Sequence, residues 1–274
     1  MKTVKATLLA LALCLIIALC GLGFIRDINA ANADQIAKVL EHQNKASGAF
    51  YPELAVGFPP LAKRYLYHAI QPGTPMAGCV RLKLTGEIKL DETTGWMPFT
   101  ADQILAGGQG FVWAAKIRKS RYMNWQGADS YYVGKARTRF ARFGIIPALN
   151  LSGPQLDQSA AGRLAIESLW LPSAFLPQND ARWVVLDDER VLAIVECRTE
   201  KTTLTLALDM KGGVRNAVID RYRDGELVPF GLEVDEETTF DGFTIPSKVR
   251  AGWNYGAPTY DEVYRATVVD AQFL

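Results

Sequence analysis

Histidine, the side chain used most often for acid–base catalysis and for metal binding, is nearly absent from this chain. The two histidines, His42 and His68, both precede the strand-rich part of the sequence. A metal site of several histidines is therefore excluded, and a Ser-His-Asp triad would have to use one of these two. His68 falls on a predicted amphipathic helix, where a polar-face or capping role is favoured over catalysis. The sequence predicts neither a metal site nor a cofactor.

Glycine-rich and nucleophile motifs do not indicate an activity either. The sequence contains no G-x-S-x-G, no P-loop and no Rossmann fingerprint. Gly107-Gly108-Gln109-Gly110 superficially resembles a phosphate-binding loop, but no Lys-Ser/Thr pair follows it, and a strand comes next instead of a helix. We interpret these residues as a hairpin turn.

Carboxylates offer one route to acid–base chemistry. Glu196 interrupts an apolar strand, where a buried carboxylate could act on a substrate; alternatively it faces water or pairs with Arg198 or Arg221. The run Asp187-Asp188-Glu189 lies between two apolar strands, which favours a solvated turn over a cation site. In the enzyme alternative, Glu196 or Asp220 would converge with one of these arginines in a pocket.

Basic residues are concentrated in one part of the chain. Between Lys116 and Arg142 there are eight basic residues and one acid, whereas eight acids and two arginines lie between Asp220 and Asp241. If the basic strands form a hairpin, their alternation places most of the cations on one face, which could contact anionic lipid headgroups. An ordinary charged outer face, partly neutralised by the acidic strands, is the alternative. The predicted membrane-surface residues are Lys116, Arg118, Lys135, Arg137 and Arg139.

Aromatic residues on the predicted strands form a candidate ligand site. Four of them are predicted to share the apolar face of their strands, together with two leucines of a later strand. A packed core is the alternative for most of the set. The predicted ligand-binding residues are Phe111, Trp113, Tyr132, Phe140, Leu204 and Leu206.

An uncharged apolar segment lies at the start of the chain. Lys2 and Lys5 precede a run from Ala6 to Ile25 that contains no charge, and Arg26-Asp27 ends it. A helix of this length covers about 30 Å, the thickness of the hydrocarbon core of a bilayer. The lysines favour the cytoplasmic side. We therefore predict a single-pass anchor in the cytoplasmic membrane, with the C-terminal domain periplasmic or extracellular.

Three alternatives for this segment stay open on sequence grounds. A cleaved signal peptide would use the small-x-small site Ala31-Asn32-Ala33 and release the domain into the periplasm. A buried core helix is the second alternative. The third is a lipid-modified cysteine, which is disfavoured because Cys14 and Cys20 each follow leucine. The remaining two cysteines, Cys79 and Cys197, are predicted to be unbridged and buried, although an oxidising compartment would permit a disulfide.

Hydrophobic periodicity predicts a mainly β domain with a few helices (α+β). Helices are predicted at Asp34–Gln43, from Pro60 to Ala69 and from about Pro154 to Leu169. From Cys79 onward, apolar and polar residues alternate over nine or ten strands joined by short links. We predict a large curved antiparallel sheet, a half-barrel, with two or three helices on its concave face. An N-terminal transmembrane helix is predicted to precede it.

The domain organisation follows from these elements. Residues 1–33 are the predicted anchor or signal segment, and residues 34–274 are predicted to be a single β-rich extracytoplasmic domain. The net charge of +1 does not indicate a nucleic-acid partner. If the helices do not fill the concave face completely, the remaining apolar cavity would suit a hydrophobic ligand.

Turn and aromatic motifs recur from about Pro60 to Phe273. They are Arg64-Tyr65-Leu66, Pro72-Gly73-Thr74-Pro75, Val80-Arg81-Leu82, Gly95-Trp96-Met97-Pro98-Phe99, Gly110-Phe111-Val112-Trp113 and Asp241-Gly242-Phe243-Thr244-Ile245-Pro246. In these motifs the chain resembles a bacterial family of membrane-anchored proteins whose function is unassigned. More distantly, the meander with its inserted helix and the Asp-Gly-x-x-Ile-Pro turn look like the periplasmic lipoprotein-carrier and lipid-carrier half-barrels. That second resemblance implies a pocket for acyl chains.

These features favour a non-enzymatic protein that binds a lipid or another hydrophobic small molecule at the outer face of the cytoplasmic membrane. An interaction or scaffold module of an envelope complex is the first alternative. It predicts a filled core and an exposed apolar patch or sheet edge. An enzyme with the carboxylate and arginine site described above is the second alternative.

Overall fold

The structure is a computed structural model that describes residues 2–43, 46–90, 95–197, 200–223 and 225–274. Arg198 and Asp224 therefore lie outside the described residues. The helices are α1 (Lys2–Gln43), α2 (Pro60–Ala69) and α3 (Pro154–Glu167), and short 3₁₀ turns cover Pro52–Ala55, Ser168–Trp170, Pro172–Phe175 and Pro177–Asn179. The strands are β1 (Cys79–Ile88), β2 (Met97–Ala106), β3 (Gly110–Ser120), β4 (Met123–Tyr132), β5 (Lys135–Arg142), β6 (Ile146–Leu151), β7 (Arg182–Val185), β8 (Arg190–Cys197), β9 (Glu200–Leu208), β10 (Val214–Arg223), β11 (Glu226–Phe240), β12 (Phe243–Trp253) and β13 (Asp261–Phe273).

Two antiparallel meanders form one sheet, and the first and last strands join them. The strand order is β6-β5-β4-β3-β2-β1-β13-β12-β11-β10-β9-β8-β7, so only β1 and β13 are neighbours that are distant in sequence. Their register places Val80 opposite Phe273 and Ile88 opposite Tyr264. The edges are β6 and β7, and the chain segment that contains α3 crosses from one edge to the other. The sheet is thus an open half-barrel, which confirms the predicted fold class.

The position of α3 shows how strongly the sheet curves. The helix contacts β3, β4 and β5 on one side and β8, β9 and β10 on the other. In a flat sheet, β4 and β9 would be roughly 38 Å apart, because neighbouring strands are about 4.8 Å apart. One helix can reach both only if the sheet wraps around it, so α3 lies on the concave face. Pro154 suits the first turn of α3 because its missing N–H would have no helical partner there.

The concave face is closely packed. Leu66 of α2, Leu164 of α3 and Trp170 of the following 3₁₀ turn are almost completely buried in one cluster with the inward-facing strand residues. Trp170 Nε1 donates a hydrogen bond of 2.8 Å to the carbonyl oxygen of Pro246 on β12. Helix α2, helix α3 and the 3₁₀ turn after α3 therefore cover the concave face. This agrees with the two or three helices predicted there.

Helix α1 lies on the outer face of the sheet. Leu40 packs with Cys79, Ile104 and Val112 in a second, smaller cluster, and Glu41 forms an ion pair with Arg81 of β1. The predicted helix Asp34–Gln43 is continuous with the apolar segment and is not a separate element. Cys79 and Cys197 are buried and form no disulfide.

The apolar part of α1 projects from the domain. Its described side chains, such as Leu11 (62 % exposed) and Ile17 (62 % exposed), do not pack against the sheet. The alternative of a buried core helix is therefore wrong. Over Leu11–Gln43, α1 is the one described helix whose length and hydropathy would suffice to span a membrane, and a signal sequence would meet the same criterion.

The sheet contains more strands than the nine or ten predicted. The alternation of residues that runs from Tyr132 to Phe140 is divided between two strands, since β4 ends at Tyr132 and β5 begins at Lys135. Between them, Val133 and Gly134 turn the chain with φ values of 52° and 72°. β4 itself shows no apolar alternation because both of its faces are partly covered, the inner one by the core and the outer one by α1.

Candidate functional site

A large groove separates α1 from the outer face of β1–β6. Its volume is 1660 Å³, and residues from Arg26 to Val39 of α1 form one wall. On the sheet side, Ala114, Ala128 and Ala141 line the groove on three adjacent strands. Their short side chains leave space beneath the helix, whereas the larger Ile104 and Val112 contact α1 around Leu40. The groove is therefore a consequence of where small and large residues fall on the outer face.

Charged side chains surround this apolar floor. Six basic residues and four acidic residues line the groove. The basic residues are Arg26, Lys83, Lys116, Lys135, Arg137 and Arg139, and the acidic residues are Asp27, Asp34, Asp102 and Asp157. The excess of positive charge favours an anionic group over a neutral one.

Two arginines of β5 converge on a single acceptor. Arg137 Nη2 and Arg139 Nε lie 3.4 Å and 3.3 Å from the amide oxygen of Asn150 on β6. Burial and the nearby charge of Arg137 lower the pKa of the Arg139 guanidinium. A bound carboxylate or phosphate would stabilise both guanidinium groups, because it would offset the repulsion between their like charges. It would also accept charge-assisted hydrogen bonds from both.

Two acids balance basic residues at the margins of the groove. Lys135 Nζ lies 2.9 Å from Asp157 Oδ2, and Lys83 Nζ lies 3.5 Å from Asp270 Oδ2. Asp157 also accepts a hydrogen bond of 2.7 Å from the backbone N–H of Ala136. Asp157 lies in the first turn of α3, where the helix dipole favours a negative charge.

The structure brings together most of the predicted membrane-surface residues, but not through the predicted hairpin. β4 lies between β3 and β5, so the two basic strands are not neighbours. The register nevertheless keeps Lys116 and Arg137 on one face, since they lie opposite Gln126 and Ser130, which are four residues apart on β4. Lys116, Lys135, Arg137 and Arg139 line the groove, whereas Arg118 is exposed closer to the end of β3.

The predicted ligand-binding residues divide between the two faces of the sheet. Five of them lie in the main core: Phe111, Trp113, Phe140, Leu204 and Leu206. Tyr132 lies on the outer face and packs with the smaller cluster, whereas its neighbour Tyr131 is the inward-facing residue. Tyr132 and Phe140 line the groove. Ligand contact by the other four would require α3 to leave the concave face, so their role stays a prediction.

A buried ionic cluster on the concave face was not predicted from the sequence. Arg163 of α3 lies 2.7 Å from Glu167 and 3.0 Å from Asp129 of β4, with its side chain 17 % exposed. Glu167 also accepts a hydrogen bond of 2.7 Å from Gln103 Nε2. Burial alone would lower the pKa of Arg163, but the two carboxylates raise it above its ordinary value. The available signal was Arg163 and Glu167 at i, i+4 spacing among the small and apolar residues of the second half of α3.

The carboxylate and arginine residues of the enzyme alternative do not converge. Glu196 is exposed and lies 3.6 Å from Lys201, and Asp220 is also exposed. Arg221 points inward, where its guanidinium lies 4.5 Å from the ring centre of Phe230. Arg198 lies outside the described part of the chain. Within that part, no three His, Cys, Asp or Glu side chains are grouped to hold a metal ion.

His68 joins α2 to β11 and makes stability depend on pH. Its Nε2 lies 2.7 Å from Glu237 Oε2, and this hydrogen bond raises the pKa of His68 although burial opposes the shift. The stabilisation by the protonated pair is complete below the ordinary histidine pKa of about 6.5 and is lost as the pH rises through the raised pKa.

We therefore expect the thermal unfolding temperature to fall between pH 6 and pH 9, and the His68→Gln variant to lose part of that fall. Calorimetry at several pH values would measure it. His42→Gln changes the other histidine, which is exposed on α1, and serves as the matched control. Identical pH profiles for His68→Gln and the unsubstituted protein would contradict the assignment.

The chain is thus an open β half-barrel, preceded by a helix whose length and hydropathy would suffice to span a membrane. The chain belongs to the DUF6544 family, which is described as a family of unknown function and whose profile matches residues 48–265. This match confirms the resemblance to a family of unassigned function. No curated protein matches the chain.

Three solved structures share the general layout. A domain of the outer membrane lipoprotein-sorting type from Vibrio parahaemolyticus is 12 % identical over 72 % of this chain and 85 % of its own, with a TM-score of 0.40. A LolA superfamily protein from Nitrosomonas europaea is 9 % identical over 78 % and 92 %, with a TM-score of 0.43. A DUF1329 family protein from Desulfovibrio piger is 11 % identical over 78 % and 90 %, with a TM-score of 0.40. The first two are of the kind that the second resemblance names. All three TM-scores are below 0.5, so the likeness extends to the general layout and not to function.

Proposed function

We propose that this protein binds an anionic amphiphile, such as a phospholipid, in the groove beneath α1, and that α1 anchors it at the outer face of the cytoplasmic membrane. The groove is the observation that carries the proposal. Its volume of 1660 Å³ exceeds the roughly 300–1,000 Å³ of typical small-molecule sites. A long and flexible ligand would make use of this space.

The chemistry of the lining supports two contact regions for such a ligand. Acyl chains would lie on the alanine floor of Ala114, Ala128 and Ala141, because burying apolar surface contributes about 25 cal/mol per Å². A phosphate would lie between Arg137 and Arg139, whose convergence on Asn150 suits an oxyanion. The ligand would therefore be oriented by its headgroup and retained by its chains.

The position of α1 supports a membrane source for the ligand. Arg26 ends the apolar segment in the sequence and also lines the groove. If Ala6–Ile25 spans the bilayer, one end of the groove lies beside the headgroup region. A lipid would then have a short path from the membrane into the groove.

A binding titration of the full chain in a neutral detergent would test the proposal. The probes are dihexanoyl phosphatidylglycerol, dihexanoyl phosphatidylcholine and glycerol phosphate, which separate a lipid from a headgroup alone. We expect the anionic lipid to bind best. The double substitution Arg137→Ala/Arg139→Ala should weaken its binding by at least about tenfold, since a hydrogen bond to a charged group contributes about 1.5–3 kcal/mol and 1.4 kcal/mol is tenfold.

The matched control is Arg215→Ala/Lys248→Ala, which removes two exposed cations of β10 and β12 that are not part of the groove. It should bind the anionic lipid as the unsubstituted protein does. Equal losses in the two double variants, or no binding of any probe, would contradict the proposal. Tighter binding of glycerol phosphate than of the lipid would show that the apolar floor takes no part.

A further inference from the structure

The direction of α1 shows which end of strands β4 and β5 lies nearer to the apolar segment. Arg26 lies beside Gly144 in the turn between β5 and β6. At the other end of the helix, Gln43 Oε1 accepts a hydrogen bond of 3.4 Å from the hydroxyl of Tyr132, the last residue of β4. The apolar segment precedes Arg26, so it leaves the domain at the Gly144 end. A helix rises 1.5 Å per residue, so α1 covers about 26 Å from Arg26 to Gln43. The turn at Val133, next to Gln43, is therefore farther from the apolar segment than the turn at Gly144 by about this distance.

Two hairpin turns lie together at the Gly144 end. They are the β3–β4 turn with the flanking residues 118–122 and the β5–β6 turn with residues 142–146, and we call them the basic tips. The backbone N–H of Phe143 donates a hydrogen bond of 2.8 Å to the carbonyl oxygen of Asn124, which joins the two hairpins. They therefore present their exposed side chains as one surface.

The basic tips combine exposed apolar residues with a uniform charge. Tyr122 is 78 % exposed, Phe143 is 48 % exposed and Ile146 is 47 % exposed. The four charged residues of the tips are all cations and all exposed: Arg118, Lys119, Arg121 and Arg142. Residues 118–122 and 142–146 contain no carboxylate. Exposed apolar residues lower the solubility of a surface that faces water. Aromatic residues beside basic residues are typical of protein surfaces at the membrane–water interface.

We propose that the basic tips dock into the headgroup region of an anionic bilayer, with Tyr122, Phe143 and Ile146 inserted and the four cations paired with lipid phosphates. Tyrosine favours this depth because its ring is apolar and its hydroxyl is polar. Basic residues next to a membrane-spanning helix are attracted by the surface potential of anionic lipids. The inference rests on the proposal that α1 anchors the chain, and it is independent of what the groove binds. Docking would fix the tilt of the half-barrel on the membrane.

Spin-label depth measurements on the reconstituted full chain would test the docking. One label replaces Tyr122 (Tyr122→Cys) and the control label replaces Val133 (Val133→Cys), which is 56 % exposed at the far end of β4. Both are made with Cys14→Ser and Cys20→Ser, because these cysteines are exposed. In vesicles of phosphatidylcholine and phosphatidylglycerol, we expect a water-soluble nickel relaxant to reach the Tyr122 label severalfold less than the Val133 label.

Charge variants separate docking from simple proximity to the membrane. Lys119→Glu/Arg121→Glu should restore the access of the relaxant to the label at position 122. Lys211→Glu/Arg215→Glu makes the same change in net charge at two exposed cations of the β9–β10 hairpin and should not restore it. Equal access at positions 122 and 133 in chains that float with the vesicles would overturn the docking and leave the anchor intact. Equal shielding in pure phosphatidylcholine would overturn the requirement for anionic lipid. Chains that do not float would refute the anchor and the docking together.

Discussion

Replacing Arg163 with methionine should lower the free energy of unfolding by about 3–5 kcal/mol, since removing one partner of a buried ionic cluster leaves the other charges uncompensated. Arg163 holds Glu167 at 2.7 Å and Asp129 at 3.0 Å between α3 and β4. Its guanidinium also lies 4.6 Å from the ring centre of Phe111, so the substitution removes a cation–π contact as well. Methionine keeps the apolar stem, and the effect therefore reports the lost charge.

Thermal unfolding followed by circular dichroism would measure this change. For a domain of this size, about 2–4 °C are lost per kcal/mol, so the midpoint should fall by roughly 6–20 °C. Arg215→Met is the matched control, because Arg215 forms an exposed pair of 2.6 Å with Glu189. Exposed pairs contribute about 0–1 kcal/mol. Equal shifts in the two variants would contradict the importance of burial.

A variant that neutralises the whole cluster separates lost charge balance from lost packing. Arg163→Met combined with Asp129→Asn and Glu167→Gln removes the charges of Arg163 and of its two carboxylate partners. We expect this triple variant to unfold at a higher temperature than Arg163→Met alone, because replacing every charge of a buried cluster is often neutral. A further fall would indicate that packing around Arg163 dominates.

Trp170→Ala is expected to cost about 3–5 kcal/mol, the range for truncating a buried tryptophan or phenylalanine. Trp170 is 2 % exposed and joins the end of α3 to β12 through its hydrogen bond to the carbonyl oxygen of Pro246. Its loss would leave a cavity where the helical segment meets the sheet. The carbonyl oxygen of Pro246 would also lose its indole donor.

The same unfolding measurement with two further substitutions would divide this effect. Trp170→Phe keeps a ring in the core but removes the N–H donor, so we expect a smaller loss than for alanine. Tyr122→Ala removes an aromatic ring that is 78 % exposed and should change stability by less than about 0.5 kcal/mol. If Trp170→Ala were as stable as Tyr122→Ala, the concave face would not be the main core.

Much of the fold was predictable from the sequence because its signals are local. Alternation in β1 and β3 and the proline boundaries of α2 and α3 indicate which residues turn inward and where helices begin. Arg26-Asp27 likewise marks the end of the apolar segment. Such signals depend on neighbours within a few residues, so they do not require knowledge of the tertiary structure.

The sequence pattern does not indicate β4, because the alternation of apolar and polar residues is lost where both faces of a strand are covered. Its sequence, from Met123 to Tyr132, mixes polar and apolar residues on both sides. The turn at Val133 has no local signal either, since a β-branched residue rarely has a positive φ. The predicted ligand-binding set therefore included Tyr132, although Tyr131 faces the core.

By itself, the sequence determined a mainly β half-barrel with helices on one face, an apolar N-terminal segment and a concentration of basic residues between Lys116 and Arg142. Only the tertiary structure decided that the helical segments fill the concave face closely and that the large groove lies on the outer face, beneath α1. The physical reason is that periodicity records the side of a strand on which a residue lies, but not what covers that side. The convergence of Arg137 and Arg139 on Asn150 and the position of the basic tips beside Arg26 depend on contacts between distant segments, which no local pattern encodes.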